Sequence, residues 1–265
     1  MHAVACIHPV PDYEAPAELF TVEGSPARIV AAREVKTVIG LFDNHALEAA
    51  LRLKDAHGGT VTALALGPPG AVEALKRALH MGADAAVLVE EGPYGELDAA
   101  ATAMVLAAAV TRLQPVDVVL CGRQASDWDG GLVGAGLAER LALPLASLVR
   151  ALEVKDGEAR VDRLIDEGVE VDALPLPCVL TVTNELNTPR LTTVQHILAA
   201  AKKKVPAWGP GDVGLDPAGV RAAARTRVVS LAKPVVDRHC EMVGGDGPEE
   251  AGSNLALALR ARKVL

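Results

Sequence analysis

The fold class this sequence predicts is α/β: a doubly wound, mostly parallel sheet covered by helices on both faces. Three observations predict it. Apolar runs of strand length recur at residues 3–10, 60–66, 85–89 and 118–121, and stretches with helical spacing lie between them. The runs read as buried strands, which a sheet covered on both faces requires. Residues 117–144 then form a strand–loop–helix unit whose loop is rich in glycine.

The first strand covers residues 3–10, and Pro9 and Pro11 end it. Residues up to about 36 show little periodicity, so a hairpin or an excursion is expected there. From Asp43 a helix begins, with Asp43 or Asn44 suited to the N-cap. Ala46, Ala49, Ala50 and Leu53 make its apolar face, and Glu48, Arg52 and Asp55 its wet one. Gly58 and Gly59 stop it.

The strand over 60–66 leads to a helix that carries Val72, Leu75 and Leu79 inward and closes at Gly82. Residues 85–89 make a third strand. Residues 97–113 are apolar around most of the helical circumference, as in a helix buried among neighbours. In the unit that follows, Leu132, Ala135, Ala138 and Leu141 are expected on one helical face. Residues 145–154 and 159–165 read as an antiparallel hairpin turning at Asp156-Gly157, and 178–183 as a further strand. Helical spacing over 192–204 puts Val194, Ile197, Leu198 and Ala201 on one face, with Lys202, Lys203 and Lys204 at the end that favours cations. The chain thus divides into an α/β domain, 1–204, and a tail, 205–265, that has too few periodic apolar segments for its own core and packs on something else.

Half of the 265 residues are hydrophobic, yet there are only two each of Trp, Tyr and Phe, so Ala, Leu and Val must build the core. A net charge of −8 argues against nucleic acid as a partner. The longest Ala-rich run, 99–110, is too short to span a bilayer, so no direct membrane insertion is expected. Cys6, Cys121, Cys178 and Cys240 show no metal or redox spacing, and three of them sit in apolar runs. They read as buried thiols of a reducing compartment, with the cytoplasm as the default.

The loop after residue 121 is where chemistry is expected. At the carboxyl end of a strand, backbone N–H groups and a helix N-terminus favour an anion, most often phosphate. Gly122, Gly130, Gly131, Gly134 and Gly136 permit close approach or positive φ, or serve helix–sheet packing. The spacing fits neither G-x-x-x-x-G-K-[ST] nor a clean G-x-G-x-x-G, so nucleotide binding and a plain structural turn both stand. Asp127 and Asp129 read either as a metal or acid–base pair or as carboxylates capping the next helix. No G-x-S-x-G or H-E-x-x-H occurs, the S-x-x-K at 230–233 lacks its companion motifs, and the seven histidines show no cluster. A nucleotide-sized loop without a catalytic set suggests a protein that holds a cofactor and is not itself an enzyme.

Four fragments then fall in order: A-L-E-A-A-L-R-L-K at 46–54, M-G-A-D at 81–84, G-R-Q-A-S-D-W-D at 122–129, and L-N-x-P-R at 186–190 leading to K-K-K. With P-E-E-A at 248–251 they resemble the β subunit of electron transfer flavoproteins over nearly the whole chain. The resemblance implies a Rossmann-like adenine-nucleotide-binding fold, and a heterodimer with an α subunit that the C-terminal tail embraces. It implies one FAD, held mainly by the α subunit, that takes electrons from dehydrogenases and gives them to a quinone-linked oxidoreductase. It also implies a buried AMP in the β subunit, or a second FAD in the electron-bifurcating branch.

By the same resemblance the nucleotide site comprises Cys6, Gly40, Leu41, Phe42, Asp43 and Leu66, and the run Gly122, Arg123, Gln124, Ala125, Ser126, Asp127, Trp128, Asp129, Gly130, Gly131, Leu132 and Val133. Tyr13 and Phe42 fall where the family sets aromatic rings against the flavin. Val194 stands where a leucine anchors partner recognition, although helical spacing puts it on a buried face. The chain departs from the family pattern at Gly40-Leu41, where Asn-Pro is usual, at the apolar run 130–133, where polar residues usually meet phosphate, and at Leu164, where a glutamate is usual.

Overall fold

The computed structural model describes residues 1–24, 27–234 and 239–265. They divide into two compact units, Met1–Ser230 and Leu231–Leu265.

The first unit opens with β1 (His2–Ile7), β2 (Pro9–Pro11), the hairpin β3 (Phe20–Glu23) and β4 (Arg28–Ala31), and β5 (Thr37–Ile39), which pairs with β2. Then follow α1 (Leu41–His57), β6 (Thr60–Gly67), α2 (Val72–Met81), β7 (Ala85–Glu90), α3 (Ala99–Arg112), β8 (Val118–Gly122) and α4 (Val133–Leu141). After them come β9 (Leu145–Lys155), β10 (Glu158–Ile165), β11 (Gly168–Pro175), β12 (Cys178–Val182), α5 (Val194–Ala200), β13 (Ala207–Trp208), α6 (Pro210–Val213) and α7 (Pro217–Ala222). The main sheet runs β11-β10-β9-β12-β8-β1-β6-β7-β13, parallel from β9 to β13 and antiparallel over β9, β10 and β11. The expected fold class holds. The first apolar run, however, is two strands, because Pro9 takes the chain off the sheet to pair with β5.

Each inner strand divides its side chains between two cores, as residues of period two must. Ala3, Ala5 and Ile7 of β1 join the cluster under α1 and α2, while Val4 and Cys6 join the one under α3 and α4. In β8, Val118 and Leu120 face the first cluster, Val119 and Cys121 the second. Alanine dominates the helix faces of both clusters, so helices and sheet approach closely; Tyr94 is the one aromatic side chain fully buried among the described residues, in the second cluster.

Several elements differ from the periodicity. The buried face of α4 is Gly134, Leu137 and Ala138; Leu132 and Ala135 are exposed, because a Cβ at 134 would lie 2.3 Å from Thr181 Cγ2 and at 136 only 2.7 Å from Ala103 Cβ. The helix therefore rolls its glycines inward. On α1, Glu48 is buried, not wet. Its carboxylate accepts from Arg52 Nε at 2.9 Å and from Arg190 Nε at 2.8 Å, and Arg190 also reaches Asp55 at 2.8 Å. On α5, Val194, Ile197 and Leu198 are exposed and only Ala200 is buried.

The division of the chain also differs from 204/205. β13 extends the sheet beside β7, Arg112 lies 4.9 Å over Trp208, and Val220 of α7 is buried in the second cluster. Asp98 caps α3 through Ala101 N and accepts from Arg225 N and Thr226 N; burial pushes its pKa up, but those donors together outweigh it and hold the pKa at about 2. Residues 205–230 thus belong to the first unit. The second unit holds α8 (Pro248–Ala261), which begins with the P-E-E-A sequence and has Asn254 Nδ2 donating to Gly244 O at 2.9 Å. Residues 235–238 of the expected tail lie outside the described residues.

Replacing Glu48 by alanine leaves Arg190 facing a void, and is expected to lower stability by about 2 kcal/mol, less than for a fully dry pair because both arginines reach solvent. Burial alone would raise the Glu48 pKa, but the Arg190 and Arg52 bonds bring it below 4.5, so this contribution is present above 4.5 and lost as pH falls through the lower folded value. Urea unfolding of both proteins across that range measures it.

Candidate functional site

Connections from β1 lead through α1 to β6 on one side, whereas β8 lies on the other. The carboxyl ends of β1 and β8 therefore form the topological switch point, where an open α/β sheet leaves a crevice.

Asp43 closes the base of this crevice. It lies in the first turn of α1, and its carboxylate accepts from His8 N at 2.9 Å through Oδ2 and from Gly122 N at 2.9 Å through Oδ1. It is thus a tie between strand ends and not a helix cap; the N-cap is Gly40, with no side-chain cap. A Cβ at position 122 would meet Asp43 Oδ1 at 2.6 Å and Phe42 Cβ at 2.7 Å, which is why glycine stands there. Burial drives the Asp43 pKa up to about 6 against the lowering effect of its two N–H donors and His8, and the charge of Asp127 adds to the rise.

From Gly122 the loop folds over the α1 side. Arg123 N donates to Val182 O at 2.9 Å, and its guanidinium lies 5.3 Å from the Phe42 ring centroid. Arg123 Nε donates to Gln124 Oε1 at 3.0 Å, and Gln124 Nε2 to Asp129 Oδ1 at 2.8 Å. Ser126 Oγ accepts from Leu41 N at 2.8 Å, and Asp127 Oδ2 lies 2.9 Å from His8 Nε2. Asp129 and Gly131 take left-handed φ values of 50° and 62°. Trp128 and Leu132 are exposed at 59% and 62%.

Neither Asp127 nor Asp129 caps α4, whose N-terminus carries no side-chain cap at all. Its first-turn N–H groups have no intrahelical acceptor and are left for another one. Asp127 is held below its usual pKa, since the His8 bond and charge outweigh its burial. Among the described residues no group of three or more His, Cys, Asp or Glu is placed to hold a metal ion.

Gly40, Leu41, Phe42, Asp43 and the run from Gly122 to Asp129 are therefore brought together, and Gly130, Gly131, Leu132 and Val133 complete the turn into α4. Cys6 follows the Ala5–Leu120 register and lies beside Cys121, both buried. The Cys121 thiol is pushed well up by the Cys6 hydrogen bond and by burial, so it stays protonated and is no nucleophile. Leu66 is buried in the same core face as Cys6. Tyr13 is exposed in the turn after β2; no hydrogen bond or ring contact among the described residues joins it to Phe42 or the loop. Val194 stands apart, on α5 beside α2.

His8 and Glu91 are the residues that sequence reasoning missed. His8 follows the first strand directly, at the end where the crevice opens, and that position was the available signal. A separate cleft of about 550 Å³ lies between α1 and β9, lined by Arg52, Leu53, Arg150 and Leu186 among others; it lies away from the switch point.

An electron transfer flavoprotein domain model matches residues 28–213. The chain belongs to the electron transfer flavoprotein family, as a β subunit. It is 38% identical to the electron transfer flavoprotein subunit beta of Clostridium acetobutylicum over 83% of each chain. It is 35% identical, over the full length of both, to the caffeyl-CoA reductase–Etf complex subunit CarD of Acetobacterium woodii. Protein FixA of Azorhizobium caulinodans is 37% identical over 82% of this chain and 78% of its own. Such β subunits pair with α subunits and work as electron carriers in electron transfer complexes. Among the described residues no helix is long and apolar enough to cross a membrane.

Asp43 holds its proton more tightly in the folded chain, at about 6, than at its ordinary 3.8. Stability is therefore expected to fall by roughly 3 kcal/mol as pH rises between those values. Asp43→Asn removes that slope, and at neutral pH it leaves one of the two N–H donors facing an amide NH₂, at a cost of about 1–3 kcal/mol. Urea unfolding at pH 4.5 and pH 7 compares the two proteins.

Proposed function

We propose that this chain holds an adenine nucleotide at the switch point and, with its α subunit, an FAD through which electrons pass from dehydrogenases to a quinone-linked oxidoreductase. The observation that carries the nucleotide reading is the uncapped α4 N-terminus set beside the Asp43-tied strand ends. The residues fit such a group. An added Cβ at Gly130 meets nothing within 4 Å, so a phosphate has room at the turn, and Cys6 and Leu66 offer an apolar floor at the strand ends. Backbone donors carry the phosphate, since residues 130–133 bring no polar side chain. We assign AMP to this site in the simplest reading.

Bound flavin supplies the redox chemistry, and the chain's own part is to position and cover it. Phe42, held under the Arg123 guanidinium, and Tyr13 are the rings we assign to that task. Leu191, Val194 and Leu198, exposed at 84%, 72% and 66%, form an apolar strip that we assign to docking of the electron-donating dehydrogenase. The second unit is the segment we assign to embracing the α subunit. Three buried free thiols suit a reducing cytoplasm.

A second reading, with FAD at the switch point as well, is favoured by the open turn at Gly130 and the exposed Trp128, which leave space for a larger nucleotide. Co-expression with the α subunit is expected to give a yellow heterodimer; a colourless monomer in its presence contradicts the proposal. FAD and AMP counted per heterodimer decide between one of each and two FAD. Val194→Asp is expected to slow reduction of the flavin by its dehydrogenase at least about tenfold, through a buried unpaired charge, with flavin content unchanged.

A further inference from the structure

We propose that His8 is a positioning residue of the nucleotide loop, and that its ion pair with Asp127 is a proton-controlled latch that retains the nucleotide. The inference rests on the nucleotide reading above and adds a residue and a regulation to that site.

Geometry singles this contact out. Residues 125–131 are joined to the β1–α1 side by two side-chain hydrogen bonds among the described residues: Ser126 Oγ with Leu41 N at 2.8 Å, and Asp127 Oδ2 with His8 Nε2 at 2.9 Å. The second bridges 119 positions of sequence, and its imidazole makes it the tie that a proton can switch. The loop it restrains contains the left-handed Asp129 and Gly131, and it leads straight into the uncapped α4. Asp129, a side-chain-bearing residue at φ 50°, keeps that conformation only while outside contacts fix the loop.

The charges around His8 give the latch its direction. The carboxylates that face it come from three elements: Asp127 on the loop, Asp43 on α1 and Glu91 just past β7. Glu91 is itself raised by burial, with His8 pulling the other way. Protonated His8 offsets this acidic group beside an anion site. Neutral His8 leaves up to three carboxylates next to a phosphate, and at the same time weakens the hydrogen bond that holds the loop.

Burial alone would lower the His8 pKa, but the Asp127 hydrogen bond and the charges of Asp127, Asp43 and Glu91 outweigh it and carry it above 6.5. The latch is therefore closed below that raised value and opens as pH rises through it. On the acid side Asp127 keeps its charge to below 3.8.

The test uses the native heterodimer purified at pH 6.5. Its adenine nucleotide is extracted and quantified after timed dialysis at pH 6.5, 7.5, 8.5 and 9. Release from the wild type is expected to be about tenfold faster at pH 8.5 than at 6.5. His8→Gln is expected to release fast at every pH, with a flat profile. His8→Lys, charged throughout this range, restores slow release up to pH 9. Hydrogen exchange of residues 122–132, corrected for intrinsic rate, should show the loop opening with pH in the wild type and not in His8→Lys. A loaded complex whose release ignores pH, or a His8→Gln variant that keeps the wild-type profile, overturns the latch alone. A complex with no adenine nucleotide at pH 6.5 overturns the site itself, and the latch with it.

Discussion

One buried carboxylate fixes the geometry on which the site depends. Asp43 accepts an N–H from the end of β1 and another from the end of β8, so the two strands that diverge at the switch point are tied through the first turn of α1. Burying such a charge is costly unless its lone pairs are satisfied, and here two backbone donors do that. The residues around it follow. Glycine is required at 122 because a Cβ would strike the carboxylate. Leu41 and Phe42, next to Asp43, are set against Ser126 and Arg123. A side chain whose two oxygens are taken by backbone donors thereby sets where Leu41, Phe42 and Gly122 lie.

The same helix is anchored a turn further on by a second buried acid. Glu48 receives Arg190 and Arg52, while His45 Nδ1 and Asn187 Nδ2 exchange hydrogen bonds with the opposite backbone. Residues 186–190 are thus a strap clamped onto α1. The M-G-A-D sequence works similarly at the far end: Gly82 ends α2, and Asp84 receives Val61 N at 2.8 Å and Lys54 Nζ at 2.7 Å. The strap has a consequence for α5, which follows it. With Arg190 held and Ala200 buried, the residues between them turn Leu191, Val194 and Leu198 to solvent. Exposed apolar side chains grouped in this way are what a protein–protein contact surface presents.

What the sequence made legible, and what it did not, follows from the range of the interactions. Strands of the parallel sheet were readable because burial on both faces makes their whole run apolar, as in Val118, Val119 and Leu120. Strand order was not, since insertion of β12 between β8 and β9 is a nonlocal choice. β11 was missed because its alternating Val169, Glu170, Val171 and Asp172 lie at an exposed edge with little apolar content. Glu48 was misread because polarity signals exposure only until a distant partner, here Arg190, is brought to it. The face of α4 was misplaced for a related reason: glycine carries no hydrophobic signal, yet it can be the most closely packed residue on a helix. In the site, loop residues were legible through family resemblance, while His8 was hidden because its three acidic neighbours come from three separate elements.

The glycines of the loop sharpen what kind of site this is. Gly134 and Gly136 are committed to packing against Thr181 and Ala103, and Gly122 to the approach of Asp43. Only Gly130 and Gly131 are left to shape the turn itself. The donors proposed to meet an anion there are backbone N–H groups and the α4 N-terminus, which are fixed by the packing of the sheet and do not titrate. The side chains that titrate are at the rim instead, in His8 and Asp127. Such a division suits the proposed nucleotide site: the packed interior would place the donors, and the titratable rim would govern how firmly the loop is held.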